Sequence, residues 1–154
     1  MTNKSYDLIE AIKEIISYFN TTAIIPLLNG VAHYDILDKE LGKEQTFGGA
    51  AYISTIMNNN GSIQQITSRA SIKFGPRTPK NINIAKYFYE ICKETEFECD
   101  FSDNIKLDIW RKYVLIGATA ASTVLFQKPL GEINATTYGK SLIKKIHEHA
   151  EILY

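Results

Sequence analysis

Three residues of this sequence stand where polar chemistry could be done. The first is Lys112, which follows the single tryptophan, Trp110, in "DNIKLDIWRKYVLIGATAASTVLF" (Asp103–Phe126). The residues from Tyr113 to Phe126 carry no charge. An unpaired ammonium held against a buried helix costs about several kcal/mol. A lysine in that position either lets its stem reach out to water or uses its charge. The plain alternative is a surface pair with Asp108, four residues earlier. The second residue is Asn29, which with Gly30 closes the apolar run "TAIIPLL" (Thr22–Leu28). The carboxyl ends of strands in open α/β sheets are where ligands bind, although Asn-Gly also serves as ordinary turn chemistry. The third is Lys4, near the N-terminus, where a solvated cation is the plain reading.

Other candidates fall away. His147 and His149 are two apart on a helical segment, point to different faces and cannot chelate one metal, so no metal site is expected. Cys92 and Cys99 match no zinc or redox spacing and read as reduced thiols filling core space. Glu132, in "PLGEI", suits the start of a helix better than acid–base work.

The 154 residues are 45% hydrophobic and carry 17 basic and 17 acidic side chains. That length suits one domain or two incomplete pieces. Balanced charge, with no basic run interleaved with aromatics, gives no support to nucleic-acid binding. The N-terminus has no apolar signal core, and 113–126 falls short of the ~20 apolar residues that span a bilayer. A cytoplasmic location with no membrane association is expected.

Several elements must position the three candidates. Leu8, Ile9, Ile12, Ile15, Ile16 and Phe19 recur at helical spacing, which predicts an amphipathic helix over Tyr6–Phe19. Thr22–Leu28 reads as a strand buried on both faces of a parallel sheet, and a helix follows in "VAHYDILDKEL". Gln45–Met57, "SIQQITSR" and "ASIKFG" predict three antiparallel strands with a hairpin over 57–62. Ile84, Tyr87, Phe88 and Ile91 predict a helix over Asn81–Thr95, and "FECDF" a short strand. From Asp103, a plausible N-cap, one helix runs to about Phe126. Pro129 and Gly131 interrupt, and a second helix starts near Thr136. Its apolar face (Leu142, Ile143, Ile146, Ala150, Leu153) lacks an evident partner.

In order and spacing, "NKSYDLIEAI", "IIPLLNGV", "FGGAAYISTIMNNNGSIQQITSRASIKFG" and "DNIKLDIWRKYVLIGATAASTVL" with "KPLGEI" together resemble the ketopantoate reductase (2-dehydropantoate 2-reductase) family. The resemblance implies an α/β fold. Residues 1–101 would be the C-terminal part of a Rossmann-like NADP-binding domain, and 102–154 the start of an all-helical substrate and dimerisation domain. The family begins with a strand, a Gly-x-Gly-x-x-Gly turn and a helix that holds the cofactor pyrophosphate. No such motif occurs here, so the expectation is a central portion that is inactive as an isolated chain.

The resemblance further implies NADPH as cofactor, a 2-keto acid as substrate and a homodimer or a partner chain completing the fold. Lys112 would be the catalytic acid, because desolvation lowers its pKa while its cation favours an oxyanion. Lys4 would lie near the cofactor phosphates or the ketone, and Asn29 would bond substrate or nicotinamide. Where the family carries three substrate-holding asparagines, this sequence has Ile116, Ala120 and Leu130. Their loss points to a bulkier or less polar 2-keto compound. A different class of function also fits the sequence: a non-catalytic association module whose open helix face and sheet edge are completed by another subunit, or one subunit of a split reductase.

Overall fold

The computed structural model describes residues 1–16, 23–68 and 70–151, with the side chains of 147 and 149–151 excepted. The expected Phe19, Thr22 and Leu153 positions, and the side chains of His147, His149 and Ala150, lie outside the described residues. The chain folds as two compact units, Met1–Ile109 and Trp110–Tyr154.

The first unit is α/β, as the sequence predicts. Its helices are α1 (Leu8–Ile15), α2 (His33–Leu41) and α3 (Ile82–Lys93), and its strands β1 (Gly48–Tyr52), β2 (Thr55–Met57), β3 (Ile63–Gln65), β4 (Ser71–Gly75) and β5 (Glu98–Phe101). The main sheet runs β1-β4-β5, antiparallel between β1 and β4 and parallel between β4 and β5. The predicted hairpin is present as β2 and β3, paired Thr55–Gln65 to Met57–Ile63, and stands apart as its own two-stranded sheet.

The apolar run ending at Leu28 is less regular than a buried strand. It makes an isolated parallel bridge, Ile24 to Thr46. On its other side the Met1 ammonium donates to the Ile25 carbonyl (3.1 Å), and the Leu27 N–H to the Met1 carbonyl (2.9 Å). That pair of bonds is the parallel pattern, with Met1 opposite Pro26. Pro26 cannot donate to any ladder, which helps to explain why regular pairing stops there.

Period-two alternation sends neighbouring residues of this run to opposite faces. Ile24 and Leu28 join Leu8 and Ile12 of α1 and Leu37 and Leu41 of α2 in one core. Ile25 packs instead with Phe47, Phe74 and Ala85, on the face that α3 covers. Phe74 is fully buried, with Phe88 edge-on at 5.0 Å and Phe101 at 6.2 Å between ring centroids. Helices therefore lie on both faces of the sheet, the three-layer arrangement of α/β proteins.

Cys92 on α3 is buried and Cys99 on β5 partly so, and both are free thiols. Burial first, and then a hydrogen bond with Cys92, pushes the Cys99 thiol up to about 12. The thiolate is the reactive species. At pH 8 the native protein should therefore react with Ellman's reagent at least about tenfold more slowly than the urea-unfolded protein, which should titrate both thiols. Rapid native labelling of Cys99 would contradict the core-filling reading.

The helix carrying Lys112 is α4 (Ile105–Phe126), followed by α5 (Leu130–Asn134) and α6 (Thr137–Glu151). Its cap is Asn104 rather than the expected Asp103: the Leu107 N–H donates to Asn104 Oδ1 (3.4 Å), and the Asn104 N–H to Ser102 Oγ (3.2 Å). Asn104 is the residue directly before the first helical one, so its side chain alone reaches the N3 amide. The helix stops at Phe126 because Gln127 takes φ 50° and Pro129 cannot continue it. In the second unit Ala118, Ser122 and Ile133 are buried, and Phe126 meets Tyr138 edge-on at 6.1 Å. Leu142, Ile143 and Ile146 of α6 are only partly buried. Glu132 lies in the first turn of α5 and pairs with Lys128 at 2.9 Å, an exposed contact.

Candidate active site

Because Met1 lies opposite Pro26 in a parallel pair, the chain leads Lys4 and Asn29 to the same carboxyl-terminal edge. Lys4 is still extended (φ −72°, ψ 152°) and exposed, and it begins the 3₁₀ turn Ser5–Asp7 that leads into α1. Asn29 is exposed too. Gly30 follows at φ +87°, in the left-handed region that glycine occupies freely, with open space where a side chain would begin. Between them, Asn3 donates from Nδ2 to the Lys4 carbonyl (3.0 Å). Its buried Oδ1 has no hydrogen-bond partner among the described residues. A cation and an amide, both exposed, thus share one strand-end edge.

A clamp that sequence reasoning missed holds this edge in place. Tyr34, in the first turn of α2, accepts from the Gly49 N–H through its hydroxyl (3.1 Å) and donates back to the Gly49 carbonyl (3.4 Å). Gly49 must be glycine here, since a side chain would begin 2.6 Å from the Pro26 carbonyl. Arg77 stacks on the Tyr34 ring at 4.4 Å and forks onto Asp38 at 2.5 and 2.8 Å. Burial pushes the Tyr34 phenol up to about 12, against smaller downward pulls from the Gly49 bond and Arg77. Bidentate, stacked arginine contacts are geometrically demanding, so α2 and the Asn29–Gly30 turn before it are fixed to β1. Nothing short-range in "FGPRTPK" distinguishes Arg77 from a loop cation.

Lys112 lies on α4 in the second unit and is partly buried. Burial lowers its proton affinity below the 10.5 of a solvated lysine. Asp108 accepts from Ser102 Oγ at 2.5 Å and lies 3.5 Å from Lys73 Nζ on β4. Among the described residues no group of three or more His, Cys, Asp or Glu could hold a metal, and no helix is long and apolar enough to cross a membrane.

Chemically, an exposed amide and an exposed ammonium at one strand end can hydrogen-bond polar groups of a ligand. No Gly-x-Gly-x-x-Gly motif occurs in the 154 residues. The family model for ketopantoate reductase PanE/ApbA matches residues 1–79. The chain belongs to the ketopantoate reductase family. An uncharacterized oxidoreductase, YkpB, of Bacillus subtilis is 33% identical over 141 residues, which are 91% of this chain and 46% of YkpB.

Among solved structures of the family, the 2-dehydropantoate 2-reductase of Geobacter metallireducens has the same fold. Its TM-score is 0.83 at 20% identity, over 96% of this chain and 49% of that one. D-mandelate dehydrogenase with NADH and anilino(oxo)acetate also shares the fold, with TM-score 0.78 and 20% identity over 97% of this chain and 55% of that one. The chain spans about half the length of these relatives.

Proposed function

We propose that this chain is the central part of an NAD(P)H-dependent 2-keto acid reductase. Residues 1–101 are the later portion of its nucleotide-binding domain, and 102–154 the start of its helical domain. NADPH, the cofactor that the family resemblance implies, is the proposed donor. The observation that carries the reading is Lys112: a partly buried helical ammonium whose proton affinity burial has lowered, in a chain that matches oxidoreductases over nine-tenths of its length.

A bound reduced nicotinamide supplies the hydride. The protein's own part is to position and to protonate. Lys112 donates its Nζ proton to the alkoxide that forms from the keto oxygen, and its charge stabilises that oxygen as it becomes negative. Asn29 would hydrogen-bond the substrate or the carboxamide of the nicotinamide, and Lys4 would offer a cation at the same edge. Ile116 and Ala120 lie one and two turns beyond Lys112, and Leu130 opens α5. With apolar groups at these positions, a small hydroxylated acid would leave its polar groups unpaired, at about 1–3 kcal/mol each. A 2-keto acid with a large apolar or aromatic substituent fits better. The D-mandelate dehydrogenase neighbour was solved with anilino(oxo)acetate, a compound of that kind.

The cofactor assignment is tested by titrating NADPH and following its fluorescence. The isolated chain should show no tight binding, for want of a pyrophosphate loop. A chimaera in which this chain replaces the stretch it matches in YkpB should bind at micromolar concentration or tighter. Tight binding by the 154-residue chain alone would contradict the partial-domain assignment.

A further inference from the structure

The parallel ladder between residues 24–28 and the segment leading into β1 breaks off soon after it begins. The Ile24 N–H donates to the Gln45 carbonyl and the Phe47 N–H to the Ile24 carbonyl, both at 2.8 Å. Continued by two residues, that pattern would join the Pro26 nitrogen to the Phe47 carbonyl and the Gly49 N–H to the Pro26 carbonyl. The bond after those would run from the Leu28 N–H to the Gly49 carbonyl. Proline has no N–H to give. The Gly49 N–H goes instead to the Tyr34 hydroxyl at 3.1 Å, and that hydroxyl donates to the Gly49 carbonyl at 3.4 Å. One phenol therefore stands where the ladder would have used an acceptor from Pro26 and a donor from Leu28.

The parting of the two segments lies at their carboxyl-terminal side, where ligands of open α/β sheets bind. Asn29 follows directly, and only Gly30 to His33 separate it from Tyr34. Fixing the hydroxyl therefore fixes both ends of a short span. Behind the ring, Arg77 stacks at 4.4 Å and forks onto Asp38, one turn along α2, with its own side chain only 9% exposed. With the phenol pushed up to about 12, the hydroxyl keeps its proton at neutral pH and stays a donor to Gly49.

Resting on the reductase reading for the role of Asn29, we infer that Tyr34 is a positioning residue: its hydroxyl replaces the ladder bonds that Pro26 interrupts and so holds the Asn29 amide at the strand-end edge. Arg77 and Asp38 keep the ring in that place. Tyr34 itself touches neither substrate nor cofactor.

Tyr34→Phe tests this, because it keeps the ring and the arginine stack and removes the hydroxyl alone. In the 154-residue chain, nitrogen-15 NMR should show the Gly49 amide exchanging at least about tenfold faster and the Asn29 backbone gaining motion on the picosecond to nanosecond timescale, in a spectrum that stays folded elsewhere. Arg77→Lys, which keeps the charge without the fork, should move both signals the same way. Tyr87→Phe, an exposed phenol on α3, should move neither. In the YkpB chimaera, Asn29→Ala and Tyr34→Phe should each raise the same KM, for NADPH or for the 2-keto acid, by about tenfold with kcat little changed. The double variant should be no worse than Asn29→Ala, since one residue acts through the other. A merely structural tyrosine would give additive effects or none on KM. An Asn29 that stays ordered in Tyr34→Phe, additive changes in KM, or a KM that neither substitution moves would each overturn the inference. The two readings fail separately. A wild-type chimaera that neither binds NADPH nor reduces a 2-keto acid would count against the reductase, while the Gly49 and Asn29 signals of the 154-residue chain would still decide whether the hydroxyl holds the turn.

Discussion

Replacing Lys112 by alanine in the YkpB chimaera should lower kcat for 2-keto acid reduction by about 10²–10⁴-fold, the usual range for loss of a positioned general acid. That corresponds to about 3–5 kcal/mol of transition-state stabilisation. KM should change little, because the proton is delivered only as the alkoxide forms. A small primary amine added to the Lys112→Ala enzyme should restore part of the rate, since it can enter the space and carry the proton. A lysine with a merely structural role would give neither the split between kcat and KM nor the rescue. The same chimaera tests the substrate: it should prefer a 2-keto acid with an aromatic substituent over a small hydroxylated one.

Phe74→Ala should be the most damaging single core substitution for stability. The ring is completely buried on β4, the central strand of the sheet, between Phe88 and Phe101. Truncating a fully buried phenylalanine costs about 3–5 kcal/mol through lost transfer energy and the cavity left behind. Domains have only about 5–15 kcal/mol in total. Urea unfolding of the 154-residue chain should show the midpoint collapse for Phe74→Ala. A loss below about 1 kcal/mol would mean that this core is not what holds the sheet to α3.

Much of this architecture was legible because it rests on local patterns. The β2–β3 hairpin follows from turn residues between β-formers, α3 from a 3.6-residue period, and the end of α4 from Pro129. The α/β class and the family follow from the order of those segments. Periodicity did not reveal which face of α3 is buried. Ile84, Tyr87 and Ile91 have the period of a core stripe yet stay exposed, while Phe88 meets Phe74 edge-on, because a hydrophobic period marks the apolar side of a helix and not which part of that side is packed.

The site divided in the same way. Lys112 stood out because it borders fourteen uncharged residues, and partial burial is what such a setting produces. The shared edge of Lys4 and Asn29 was not legible, since it depends on hydrogen bonds between Met1 and residues 25 and 27. The Tyr34–Arg77–Asp38 clamp was hidden for the same reason: its ion pair joins residues 39 apart in sequence. Asn104 displaced Asp103 as the α4 cap by a shift of one residue, which only backbone geometry decides.

The account turns on Lys112 as the proton donor, and the pH dependence of kcat in the chimaera tests that most directly. A general acid works when protonated, so the rate must fall as pH rises through its pKa. Burial lowers that pKa, which places the falling limb below the 10.5 of a solvated lysine. Lys112→Arg remains protonated throughout, so this variant should be slower and should lose the falling limb. A Lys112→Arg enzyme that keeps the wild-type limb at the same pH, with a rate within about tenfold of wild type, would show that another group donates the proton.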